Sequence, residues 1–145
     1  DFDNERDAAG AATYFILDHS QPGDGIVFYI PPARAPFEFY RARYYGGDSR
    51  AVNRPDHLEP QILYPYYSQE GLDFRDFKAK LSADFLRQAV PNHPRVWVVL
   101  MYTSVENPDS TCMMLTKVLG EAFPHQRRWE FFKVEVLLYS WQEAK

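Results

Sequence analysis

The chain has 145 residues, of which 46 % are hydrophobic and 25 % charged, with a formal net charge of −4. These totals suit one folded domain with its own core and exclude a largely disordered chain. The acidic balance gives no support to a surface that tracks phosphates, so no nucleic-acid partner is expected.

Cys112 is the only cysteine, which excludes an internal disulfide and a cysteine zinc site. No apolar stretch approaches the roughly 20 residues of a membrane-spanning helix. The chain opens on Asp1, and residues 1–145 read as a single soluble α/β domain taken from a longer protein.

The first predicted element is a helix capped by Asn4, with Glu5 and Asp7 in its first turn. Ala8, Ala12, Phe15, Ile16 and His19 recur at helical spacing and form its apolar face. Gln21-Pro22-Gly23-Asp24 stops it, and the apolar run that ends at Ile30 predicts a buried strand over residues 25–30. A second helix is expected from Pro36 through Phe37, Tyr40 and Tyr44 to Gly46-Gly47. Residues 48–72 carry three prolines and admit a short edge strand at 49–52 or at 61–64.

Asp73 opens a third helix, with Phe74, Phe77, Leu81, Phe85 and Ala89 as its buried stripe. Residues 95–102 are apolar on both alternating faces, as a central parallel strand requires. A further helix runs from Asp109 or Ser110 to Phe123, with Cys112, Leu115, Leu119 and Ala122 inward. The last strand is placed at about residues 130–139. Phe132, Val134, Val136 and Leu138 share one face and Lys133 and Glu135 the other, a half-polar pattern that suits a sheet edge. This order implies a three-layer α/β fold: a mostly parallel sheet of about four strands flanked by helices, Rossmann-like or flavodoxin-like.

No catalytic constellation emerges. Asp1-Phe2-Asp3 imitates a metal-binding acidic pair but stands at a chain end. His19, His57, His93 and His125 lack the close spacing of metal sites and read as solvated or capping residues. There is no nucleophile elbow, and Cys112 lies on an apolar helix face. Gly23-Asp24-Gly25 and Gly46-Gly47-Asp48 are turns outside the strand–loop–helix order that cradles phosphate, so no cofactor and no metal are expected.

Two groups of candidate contacts remain. Ligands of open α/β sheets gather beyond the carboxyl ends of strands. There the sequence puts Tyr29, then Arg34 and Glu38 at a helix start, and Tyr102, Thr103 and Ser104 after the central strand. Arg34 can meet an anion bidentately, or pair with Glu38 one turn away. The second group is Tyr64, Tyr66 and Tyr67, whose rings can contact a sugar or membrane surface or roof the core.

The ordered segments also carry a resemblance. Glu5-Arg6-Asp7-Ala8-Ala9, Tyr14-Phe15-Ile16, Gln21-Pro22-Gly23-Asp24 and Ile26-Val27-Phe28-Tyr29 are similar to a segment that follows the last membrane helix of certain bacterial glycosyltransferases. That family is the dolichyl-phosphate-mannose-protein mannosyltransferase-like proteins, polytopic enzymes that use polyprenyl-phosphate sugars. Phe39-Tyr40, Arg95-Val96-Trp97-Val98-Val99 and Val134-Glu135-Val136-Leu137-Leu138-Tyr139 fit the same tail domain in order. Where Glu5 stands, that opening usually has a tryptophan.

The resemblance implies an accessory C-terminal domain on the extracytoplasmic (periplasmic) face of the bacterial inner membrane. Its partners would be the membrane-embedded part of the same polypeptide and a polyprenyl-phosphate sugar or acceptor. The family's catalytic carboxylate lies in a loop between membrane helices, so no catalytic residue is carried over. The competing expectation is a free-standing Rossmann-like binding module for a small anionic ligand. An independent hydrolase or transferase ranks last.

Overall fold

A computed structural model describes residues 2–29, 33–46, 60–64 and 82–143. Among these the order is α1 (Phe2–His19), β1 (Gly25–Tyr29), α2 (Arg34–Gly46), β2 (Gln61–Tyr64) and α3 (Ala83–Ala89). A 3₁₀ turn (Val90–Asn92) leads to β3 (Arg95–Met101), followed by α4 (Ser110–Ala122), β4 (His125–Phe131) and β5 (Val134–Ser140). The expected strand at 49–52, the helical residues 73–81 and His57 lie outside the described residues.

The five strands form one sheet in the order β2-β1-β3-β5-β4. β1 pairs in parallel with both β2 and β3, whereas β5 runs antiparallel to both β3 and β4. The fold is therefore mixed α/β, and the expectation of a mostly parallel, four-stranded Rossmann-like or flavodoxin-like sheet is corrected. The cause is local. The stretch expected to be one strand breaks at Phe132-Lys133, a two-residue turn in which Lys133 adopts φ 58. The chain reverses there and adds the hairpin β4–β5, with Phe131 opposite Val134.

Helices cover both faces of the sheet. Side chains of β1, β3 and β5 alternate between two clusters, as a strand's twofold period demands. Ile26, Phe28, Trp97, Val99, Val136 and Leu138 pack with Ala8, Ala12, Ile16 and Leu17 of α1 and Phe37 and Tyr44 of α2. On the other face Val27, Tyr29, Val96, Val98, Leu100, Leu137 and Tyr139 meet Leu86 of α3 and Cys112, Leu115, Val118 and Leu119 of α4. Gly10 lets the two covering helices approach, since a Cβ there would stand 2.8 Å from the Tyr40 ring.

Several element readings shift. α1 begins at Phe2, so Asn4 lies within the helix and not at its cap. The described start of α3 is capped by Ser82, whose side chain accepts from the Phe85 N–H at 3.1 Å. Its inward residue is Leu86, while Phe85 is exposed, a one-position rotation of the expected stripe. β5 is an interior strand with all seven residues buried, and β4 is the edge. Lys133, half of the apparent polar face, sits in the turn, as does Phe132, which is 47 % exposed. β2 does occupy the opposite edge, as the 61–64 reading expects.

The turn after α1 is tied to the sheet through Asp24, whose side chain has no exposed surface. Its carboxylate accepts from the Gln21 N–H (3.0 Å), from Arg95 Nε and Nη2 (3.1 and 3.0 Å) and from Trp97 Nε1 (2.9 Å). The Asp24 carbonyl accepts from the Gln61 N–H at 2.8 Å, which starts β2 in register. Gly23 supplies the left-handed conformation this turn needs, at φ 86. His93, expected to be a solvated or capping residue, is buried, with Nδ1 2.8 Å from the Gly23 carbonyl oxygen.

Candidate functional site

The carboxyl ends of β1 and β3 lie side by side, with Tyr29 opposite Leu100. Tyr29 is buried in the face covered by α3 and α4, and its hydroxyl donates to Asp109 Oδ2 at 2.7 Å. Asp109 caps α4 by accepting from the Cys112 N–H at 2.8 Å. Burial first, then the bond to Asp109, raises the Tyr29 pKa above its ordinary value, so the phenol stays a neutral donor. Tyr29 thus locks a helix start to a strand end.

Arg34 and Glu38 belong to α2, whose buried residues Phe37 and Tyr44 lie on the opposite face. α2 thus packs on the face of the sheet opposite the Tyr29 side chain. The side chains of Arg34 and Tyr64 lie outside what the structure describes, as do residues Tyr66 and Tyr67 entirely.

Tyr102 and Ser104 do meet. They line a cleft of about 430 Å³ together with Thr103, Asn107, Glu130, Phe131, Lys133, Val134 and Glu135. One wall is the loop leaving β3 and the other is the tip of the β4–β5 hairpin. Tyr102 has φ 67, a conformation a bulky residue rarely adopts, and 72 % of its surface is exposed. The loop behind it is held by its own side chains. Ser104 Oγ accepts from the Asn107 N–H (3.1 Å), and Thr103 Oγ1 accepts from the Asp109 N–H (3.2 Å).

The hairpin wall is acidic. Glu130 and Glu135 stand directly opposite each other on β4 and β5, an arrangement that like charges disfavour. Arg128 relieves it. Its guanidinium contacts Glu130, lies 3.4 Å from Glu135 and reaches Glu106 at 3.2 Å. Glu135 also accepts from the Val105 N–H at 3.3 Å, which fixes the loop against the hairpin.

Glu130, Glu135, Asn107 and Lys133 are cleft residues that the sequence reading does not single out. Their signal is hidden by the turn, because reading 130–139 as one strand separates residues that the hairpin brings together. Among the described residues no group of three His, Cys, Asp or Glu side chains is arranged to hold a metal ion. Asp3 lies in α1, and Asp1 is outside the described residues. No helix among the described residues is long and apolar enough to cross a membrane.

No protein family, curated protein or solved structure matches this chain.

Proposed function

We propose that the chain is the extracytoplasmic C-terminal accessory domain of a bacterial integral-membrane glycosyltransferase. The parent transfers a sugar from a polyprenyl-phosphate donor, and this domain is itself non-catalytic. The observation that carries the reading is that four segments of the resemblance, at residues 14–16, 21–24, 95–99 and 134–139, are in mutual contact. Tyr14-Phe15-Ile16 lies on α1, and Phe15 packs edge-on to Trp97 of β3. Asp24, at the end of Gln21-Pro22-Gly23-Asp24, binds both Arg95 and Trp97 of the Arg95–Val99 segment. Val96–Val99 of that segment pairs with Val136–Tyr139 of the closing segment. The residues resembling the tail domain are thus one coupled scaffold, which is what a shared fold requires of a sequence likeness.

On this reading the domain rests against the membrane-embedded part and helps to position donor or acceptor. The test is deletion of the domain from the parent, with the membrane part retained. Sugar transfer or membrane accumulation of the parent is expected to fall. Full transfer at normal membrane levels contradicts the proposal.

The second reading, a free-standing module for a small ligand, is favoured by the cleft at Tyr102 and Ser104. The parallel half β2-β1-β3 supports its Rossmann-like frame, whereas the antiparallel hairpin counts against it. An anionic ligand is disfavoured by the carboxylates of Glu130 and Glu135 in the cleft wall.

A further inference from the structure

The cleft between the β3–α4 loop and the β4–β5 tip has a composition that selects among ligand classes. At about 430 Å³ it falls within the roughly 300–1,000 Å³ of small-molecule sites. Its charge argues against an anion. Among the described residues Glu106, Glu130 and Glu135 outnumber Arg128 and Lys133 in and beside the cleft, so the local balance is negative. A cation fares little better, because all three carboxylates already sit on the Arg128 guanidinium.

Neutral hydroxyl groups meet neither obstacle. An ionised carboxylate offers about four acceptor sites; Arg128, with the Val105 N–H on Glu135, takes only some of them, so Glu130 and Glu135 can still accept from a hydroxyl. Ser104 Oγ uses a lone pair on the Asn107 N–H, which leaves its own hydrogen to donate. The Asn107 side-chain amide adds donors along the same wall. Tyr102 completes the set. Its ring is largely exposed although its backbone is held at positive φ, and strained residues of this kind gather at binding sites. An exposed aromatic ring beside mixed donors and acceptors matches a saturated ring with an apolar C–H face and a polar hydroxyl edge.

We propose that this cleft binds a neutral glycoside ring, with Tyr102 beneath the ring and Ser104, Asn107, Glu130 and Glu135 on its hydroxyls. The inference rests on the cleft alone and holds whether or not the parent is a membrane transferase.

The test is amide-resolved NMR titration of the 145-residue chain with methyl glycosides of glucose, mannose and galactose at millimolar concentrations. Inorganic phosphate and putrescine serve as anionic and cationic comparators. Shifts confined to residues 102–107 and 130–135, produced by at least one glycoside and insensitive to salt, are the expected result. Tyr102→Ala and Ser104→Ala should each weaken binding by about fivefold or more, the equivalent of one lost contact. Phe39→Ala, an exposed aromatic on the other side of the sheet, should leave it unchanged. The proposal is overturned by silence towards all three glycosides, by shifts elsewhere in the chain, or by a response to phosphate or putrescine alone. Glycoside binding that both cleft variants leave intact overturns it equally. None of these results bears on where the parent resides, so the transferase reading stands or falls separately.

Discussion

Cys112 lies in the first turn of α4 with no exposed surface, and burial pushes its thiol up to about 11 from 9.0. A thiol held neutral in this way is core packing, not a nucleophile. The sign of its contribution to stability follows from linkage. The folded pKa exceeds the unfolded one, so the contribution is complete below pH 9 and is lost as pH rises towards 11. Tyr139, buried on the same face, is raised to about 12 from 10.0 and extends the loss to higher pH. Urea unfolding across pH 9 to 11 should show wild-type stability falling by about 1–3 kcal/mol more than that of Cys112→Ala. Parallel profiles for the two proteins would contradict this. The inward position of Cys112 is legible in the sequence because Leu115 and Leu119 share its helical face. The buried role of Glu135 is not, because its partner Arg128 lies on a strand that the sequence pattern does not reveal.

Between elements, the decisive contact is the Asp24 carboxylate. It joins the turn after α1 to two residues of β3, while its backbone carbonyl starts β2. Replacing it by alanine leaves the indole N–H of Trp97 without its acceptor and strips Arg95, only 13 % exposed, of its carboxylate partner, with the His19 carbonyl still accepting from Nη2 at 2.9 Å. Removing one partner of a buried ion pair costs about 3–5 kcal/mol, and Asp24→Ala should lose that much in urea unfolding. A loss below about 1 kcal/mol would show that the turn is not a keystone. The sequence marks Pro22-Gly23-Asp24 as a turn and marks β1, β3 and α4 through period and apolar runs, and it admits the β2 edge as one of two short strands. It does not mark the β4–β5 reversal. Tight hairpins usually announce themselves with Asn-Gly or Asp-Gly at the residues of positive φ. Here Phe132-Lys133 takes the turn, and Lys133 accepts φ 58 without a glycine. With no such signal the alternation runs unbroken through the turn, and an interior strand is read as an edge.

At the scale of the whole molecule, that one hidden reversal governs how much of the site could be foreseen. The rule that ligands gather at strand carboxyl ends leads to Tyr102 and Ser104, which line the cleft. The same rule leads to Tyr29, which the fold instead spends on capping α4 through Asp109. The opposing wall of the cleft comes from the hairpin tip, so half of the lining is hidden wherever residues 130–139 are read as one strand and not as the β4–β5 reversal. The scaffold built on Asp24, Trp97 and β5 joins the segments on which the proposed transferase reading rests.

The central claim is tested most directly by the size and location of the native protein, detected with an antibody raised against this chain. Source cells are fractionated and blotted, and intact spheroplasts are treated with protease. The expected result is a membrane-bound band far larger than 17.0 kDa, cleaved from the outside. A band near 17.0 kDa in the soluble fraction, or a membrane band protected until lysis, would contradict it.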